Sequence, residues 1–156
     1  MKLLNEKELY ELVNELSLKH FHKPFKDTIR YNNRLRTTGG RYLPSKRVIE
    51  LNPKYSMEMG EKEVIGIIKH ELVHYHLHIE GKGYKHGDRD FKKLLKITGS
   101  PRHCNPLPSS LKHKKHIYIC RSCSRVYKRT RRIDVSKYRC GKCRGELVAD
   151  EGQADV

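Results

Sequence analysis

The chain has 156 residues with 34 Lys/Arg against 18 Asp/Glu, a net charge of +16, and 36% hydrophobic residues. That length suits one domain with a small appendage. No run of 18 apolar residues is present, which excludes a membrane-spanning helix, and charges at Lys2, Glu6, Lys7 and Glu8 sit where a secretion signal needs an apolar run, so a cytoplasmic protein is expected.

Leu3 to Phe21 has Leu9, Leu12, Val13 and Leu16 at helical spacing, with Glu6, Glu8, Glu11 and Glu15 toward its start. Asn5 followed three residues on by Glu8 predicts an N-cap and capping box, and Pro24 a stop. From Lys26 the period changes. Thr28–Tyr31 alternates like a strand, Arg34–Thr37 extends it, and Gly39-Gly40 signals a turn or bulge. Arg41–Leu43 and Arg47–Asn52 read as two further strands, the last ended by Pro53. The expectation is a three-stranded antiparallel meander whose edge could pair with an extended peptide.

Glu61 to Ile79 is the strongest helix, with Val64, Ile65, Ile67, Ile68, Leu72 and Val73 along one stripe and Gly60 as its cap. It carries His70-Glu71-Leu72-Val73-His74. Residues four apart share a helix face, so His70 and His74 can hold one Zn²⁺ while Glu71 stands beside the metal, placed to take a proton from water. A catalytic zinc uses three protein ligands and keeps one position open. His86 is the favoured third ligand, because the Gly81 and Gly83 turn can bring it back over the helix; His78, His76 and Glu80 are the fallback. His78 lies about 12 Å along the axis from His70 at 1.5 Å per residue, too far to share the ion. Asp88 then predicts the N-cap of a short helix with Phe91, Leu94, Leu95 and Ile97 apolar.

Thr98 to His116 reads as a linker rich in Pro, Gly and Ser; Cys104 within it has no assigned role. Cys120-x-x-Cys123 and Cys140-x-x-Cys143 then mark a Cys₄ structural zinc in a small β ribbon, with Arg125–Arg129 and Ile133–Val135 as its strands. Thiolate zinc sites suit a reducing compartment better than disulfides do. Residues 112–144 hold 13 Lys/Arg against the single acid Asp134. Arg121, Arg125, Lys128, Arg129, Arg131 and Arg132, with Tyr127 among them for base stacking, predict contact with nucleic acid, most simply DNA. The expected division is a core over 1–100, a linker over 101–116, the ribbon over 117–148 and a disordered acidic tail over 149–156.

In order along the chain, Asn33-Arg34-Leu35, Gly39-Gly40-Arg41, Val48–Asn52, the HELVH helix, His86-Gly87 with Phe91, and the Cys₄ ribbon resemble the SprT-like family of zinc metalloproteases, its bacterial members in particular. The resemblance implies an α+β fold: a compact zincin-like core of N-terminal helix, sheet, HExxH helix and following helix, plus the ribbon. It implies zinc on His70, His74 and His86, Glu71 as the catalytic glutamate, and a second, structural zinc. Eukaryotic relatives are DNA-dependent proteases that degrade proteins crosslinked to DNA; for this chain that role is analogy. The function expected is a zinc-dependent endopeptidase acting on DNA-associated protein substrates. The rival is a non-enzymatic zinc-containing protein that binds nucleic acid or serves transcription, against which Glu71 weighs, since a structural site needs no base.

Overall fold

A computed structural model describes residues 1–111 and 116–150. The chain divides into two units, Met1–Leu107 and the residues from Pro108 onward. The expected acidic tail falls mostly outside the described residues.

In the first unit, α1 (Glu6–Phe21) starts at Asn5, whose side chain accepts from Glu8 N–H while Glu8 accepts from Asn5 N–H. Its buried face is Leu9, Val13, Leu16 and Phe21. Three strands follow: β1 (Thr28–Tyr31), β2 (Gly40–Leu43) and β3 (Val48–Leu51). Their order is β1-β3-β2, with β1 parallel and β2 antiparallel to β3. The antiparallel meander expected from the sequence is therefore corrected to a mixed sheet.

The reason lies in β3. All four of its residues are buried, as suits a strand with a neighbour on each side. Its Glu50 lies opposite Arg30 of β1 and Arg41 of β2 and accepts from both, at 3.0 and 2.6 Å, and from Asn32 at 3.2 Å. Only a central β3 lets one carboxylate meet both arginines. Arg34–Thr37 is not strand; Asn32 folds it into a turn by accepting from Arg34 N–H.

Helix α2 (Pro53–Glu58) was not expected. Pro53 marks a helix start rather than only a strand end, with Asn52 as cap accepting from Lys54 N–H. Helix α3 (Glu61–Ile79) has the expected bounds and supplies Ile68, Leu72 and Val73 to the core. β2 lies close against it. A Cβ on Gly39 would sit 2.7 Å from Ile67 Cδ1, and one on Gly40 2.9 Å from Ile67 Cγ2, so the glycine pair serves close approach rather than a hairpin turn. Helix α4 (Arg89–Ile97) buries Phe91 and Leu95.

The expected linker begins too early in the sequence reading. Leu107 is buried in the core cluster, Cys104 packs against it, and Glu63 of α3 accepts from the Asn105 backbone and side-chain amides. In the second unit a four-residue helix α5 (Pro108–Leu111) precedes a sheet of order β5-β4-β6: β4 (His116–Cys120), β5 (Val126–Arg129) and β6 (Leu147–Ala149). Val126–Arg129 matches an expected strand. Ile133–Val135 does not form one, and β4, which ends on Cys120, and β6, after the second cysteine pair, do the pairing instead.

Candidate metal centre

His70 and His74 are one turn apart on α3, and the loop before α4 carries His86 back over them. The His86 Nε2 lies 3.1 Å from the Nε2 of His70 and 3.1 Å from that of His74. Nitrogens on a tetrahedral zinc, each about 2.05 Å from the ion, lie roughly 3.3 Å apart. The three rings therefore have the spacing of a metal triad, and they form one of two such converging groups among the described residues.

The tautomers fit as well. His70 Nδ1 is 2.8 Å from the Pro101 carbonyl and His74 Nδ1 is 2.5 Å from the Tyr84 carbonyl. A carbonyl only accepts, so each Nδ1 carries the proton and each Nε2 presents its lone pair. Burial lowers the pKa of both rings, that of His74 to about 4, which keeps them neutral as ligands must be. Phe91 packs beneath all three, its ring 5.5, 4.4 and 5.2 Å from those of His70, His74 and His86.

The fallback ligands are engaged elsewhere. His76 is buried and meets Ser17 Oγ at 2.7 Å, His78 Nδ1 meets the Tyr42 hydroxyl at 2.7 Å, and Glu80 pairs with Lys23 and Lys82.

Glu71 differs from Glu50 in a telling way. It is 6% exposed, yet among the described residues nothing donates to its carboxylate. Burial alone pushes its pKa up to about 8. It lines a cleft of about 1480 Å³ together with His70, His74 and His86, and with Gly40, Arg41 and Tyr42 of the edge strand β2. Asn52 N–H donates to the Gly39 carbonyl, so by antiparallel alternation the backbone groups of Gly40 and Tyr42 point away from β3. Tyr42 and the carbonyls of Tyr84 and Pro101 were not singled out as site residues from the sequence. The carbonyls carry no side-chain signal; Tyr42 read as an ordinary strand residue. The Cys104 thiol also lines the cleft, 3.3 Å from the Tyr55 hydroxyl.

In the second unit Cys120, Cys123, Cys140 and Cys143 converge. Cys120 and Cys143 sulfurs are 3.4 Å apart and those of Cys123 and Cys140 3.7 Å. These are too long for disulfides and close to the roughly 3.8 Å edge of a tetrahedral ZnS₄ group. The two knuckles match: Ser124 N–H donates to Cys120 O and Arg144 N–H to Cys140 O, with Ser124 and Arg144 both in the left-handed region. The Tyr127 hydroxyl, 3.2 Å from Cys140, lowers that thiol's pKa to about 5.

Of the basic residues expected on nucleic acid, the structure gathers Arg125 and Arg129 against the Tyr127 ring, at 5.5 and 5.4 Å. Tyr127 is thus engaged by the arginines and Cys140, while the exposed Tyr138 has Lys137 over its ring at 5.9 Å. Lys128 points to the other face of β5 by strand alternation, Arg121 pairs with Glu146, and Arg131 and Arg132 are exposed after the strand.

A profile described as the SprT-like family matches residues 7–113, and one described as the SprT-like zinc ribbon domain matches residues 114–151. A protein named "Protein SprT-like" from Oceanobacillus iheyensis is 67% identical over 94% of this chain and 98% of its own length. Its namesake from Bacillus subtilis is 52% identical over 92% and 97%. Among solved structures, the metallopeptidase zymogen abylysin of Pyrococcus abyssi aligns with a TM-score of 0.43 and 18% identity, over 56% of this chain and 75% of that one. From the two profile matches and the identity to these relatives over more than nine-tenths of each chain, the chain belongs to the SprT-like family.

Proposed function

We propose that this chain is a zinc-dependent endopeptidase acting on proteins associated with DNA in the cytoplasm. The observation that carries the reading is Glu71: a largely buried residue whose carboxylate has no donor among the described residues and opens on the same cleft as three converging imidazoles. His70, His74 and His86 would hold a catalytic zinc, and Cys120, Cys123, Cys140 and Cys143 a structural one. When bound at the histidines, zinc supplies Lewis acidity, acidifying water and polarising a carbonyl. Glu71 takes the proton of the attacking water and returns it to the leaving amine. Its burial favours a proton-holding state at neutral pH, which a nearby cation opposes, so the two effects bracket the working range of a base that must also act as an acid. An extended peptide adds to β2 through the outward backbone groups of Gly40 and Tyr42.

Arg125, Arg129, Arg131, Arg132, Lys128 and Arg121 contact phosphate, and the ribbon so tethers the protease unit to DNA that carries its substrates. Zinc content and cleavage of a DNA-bound protein test the reading together. Wild type is expected to hold two zincs per chain, His70→Ala and Cys120→Ser each to hold one. Glu71→Gln is expected to keep both zincs and lose cleavage by at least 100-fold. Undiminished cleavage by zinc-replete Glu71→Gln would end the general-base assignment.

A further inference from the structure

The three histidines are not held alike. His70 and His74 sit on a buried helix, each fixed through its Nδ1 by a backbone carbonyl. His86 is exposed, and among the described residues its contacts at hydrogen-bond distance are both made by Nε2. Its position therefore depends on its loop.

That loop is folded around two carboxylates from the start of α4. Asp90 Oδ2 accepts from Gly83 N–H at 3.1 Å, and Asp88 Oδ2 accepts from Lys85 N–H at 3.0 Å. The Asp88 backbone N–H donates to Lys85 O at 2.9 Å, closing the turn around His86. Gly83 has to be small here: a Cβ would lie 2.8 Å from Asp88 Cβ and 3.1 Å from its carboxylate. Asp88 occupies the N-cap position of α4 yet makes no capping bond with its side chain. Such a bond is worth about 1 kcal/mol; here the carboxylate is turned to the loop instead. Neither aspartate is within ion-pair distance of a cation among the described residues. The next residue, Phe91, is 1% exposed and touches all three histidine rings, so α4 itself is registered to the site.

We propose that Asp88 and Asp90 are positioning residues for His86, transferring the fixed placement of α4 to the loop and so setting how tightly the histidine site binds zinc. This rests on the reading of the triad as a zinc site. Partners at one remove from a metal commonly change its affinity 10- to 100-fold. The two aspartates act through backbone amides rather than on the ligand ring, and their effect belongs in that range.

The test is chelator competition on the full chain loaded with zinc, reading the two sites separately by pairing each variant with Cys120→Ser or His70→Ala. Asp88→Ala and Asp90→Ala are expected to weaken zinc at the histidine site by about 10- to 100-fold and to leave the cysteine site unchanged. Asp88→Asn and Asp90→Asn keep an acceptor oxygen and are expected to recover most of the affinity. In a His86→Ala background the aspartate substitutions should cause no further loss. Wild-type zinc affinity in the Asp88→Ala/Asp90→Ala double variant would overturn the proposal. So would an equal loss with and without His86, which would mean general damage to α4. Should wild type bind zinc at the cysteines alone, the metal reading itself fails and the inference goes with it.

Discussion

Two buried glutamates show how much depends on what surrounds a carboxylate. Burial acts to raise the Glu50 pKa, but hydrogen bonds from Arg41, Asn32 and Arg30 outweigh it, and the net shift is downward. Glu50 then contributes stability above its unfolded pKa, and that stability is lost as pH falls through the lower folded value. Glu50→Gln is expected to destabilise the first unit by about 1–3 kcal/mol at pH 7, reduced from the buried-pair range because both arginines are half exposed. The difference from wild type, measured by urea unfolding, should shrink as pH falls below 4. Glu71 runs the other way. Its folded pKa, up at about 8, means that the native state binds more protons than the unfolded chain between the two values. Stability of the metal-free protein therefore falls as pH rises from about 4.3 toward 8. Glu71→Gln should be at least as stable as wild type without metal, with an advantage that grows from pH 5 to pH 8. A constant difference across that range would contradict the burial argument. From sequence, the HExxH spacing marked Glu71 as the base, whereas Glu50 was only a strand residue; its arginine partners stand 9 and 20 positions away on other strands, which periodicity does not register.

Among elements, α3 was legible to the residue because 19 residues of helical period left little alternative, and its spacing alone put His70 and His74 on one face. The sheet was not. Sequence order favours hairpin neighbours, whereas β3 inserts between β1 and β2, and the cause is the cross-strand reach of Glu50. The Gly39-Gly40 pair was read as turn chemistry but answers to Ile67 on α3. Gly39→Ala is expected to cost about 1–3 kcal/mol by overpacking. Ile67→Val removes the Cδ1 atom nearest that new Cβ, so Gly39→Ala should cost less in the Ile67→Val background than in wild type. Equal costs in a double-mutant cycle would show that backbone conformation, not Ile67, demands glycine there.

At the scale of the whole molecule, the two units draw on different sources of stability. The first has a continuous core from Leu9 to Leu107; among the described residues the second buries Tyr118 and a small cluster of Cys120, Cys140 and Leu147, with Cys123, Tyr127 and Ile133 against it. Zinc removal is expected to unfold the second unit and leave the first folded, as limited proteolysis would show by cutting after residue 111 while sparing α3. Cleavage within α3 in the same digest would mean that the first unit also needs metal to fold. The boundary itself was misplaced in the sequence reading because Pro101, Pro106 and Pro108 look like linker, although Leu107 is a core residue and Pro101 orients His70. If the six ribbon residues each meet a phosphate, DNA affinity should fall with log salt at a slope of about −5, and Arg125→Ala with Arg129→Ala should lower that slope by about 2.

The solitary state of Glu71 also bears on ancestry. A carboxylate that weakens the metal-free fold and has no donor among the described residues survives in a lineage only while its use outweighs its harm. If the proposed cleavage became dispensable, an amide or an apolar residue in place of Glu71 would be tolerated sooner than a change at Glu50, which accepts from arginines on both neighbouring strands. On the proposed reading, a relative with both histidines intact and that one glutamate gone would be one that binds metal without cutting.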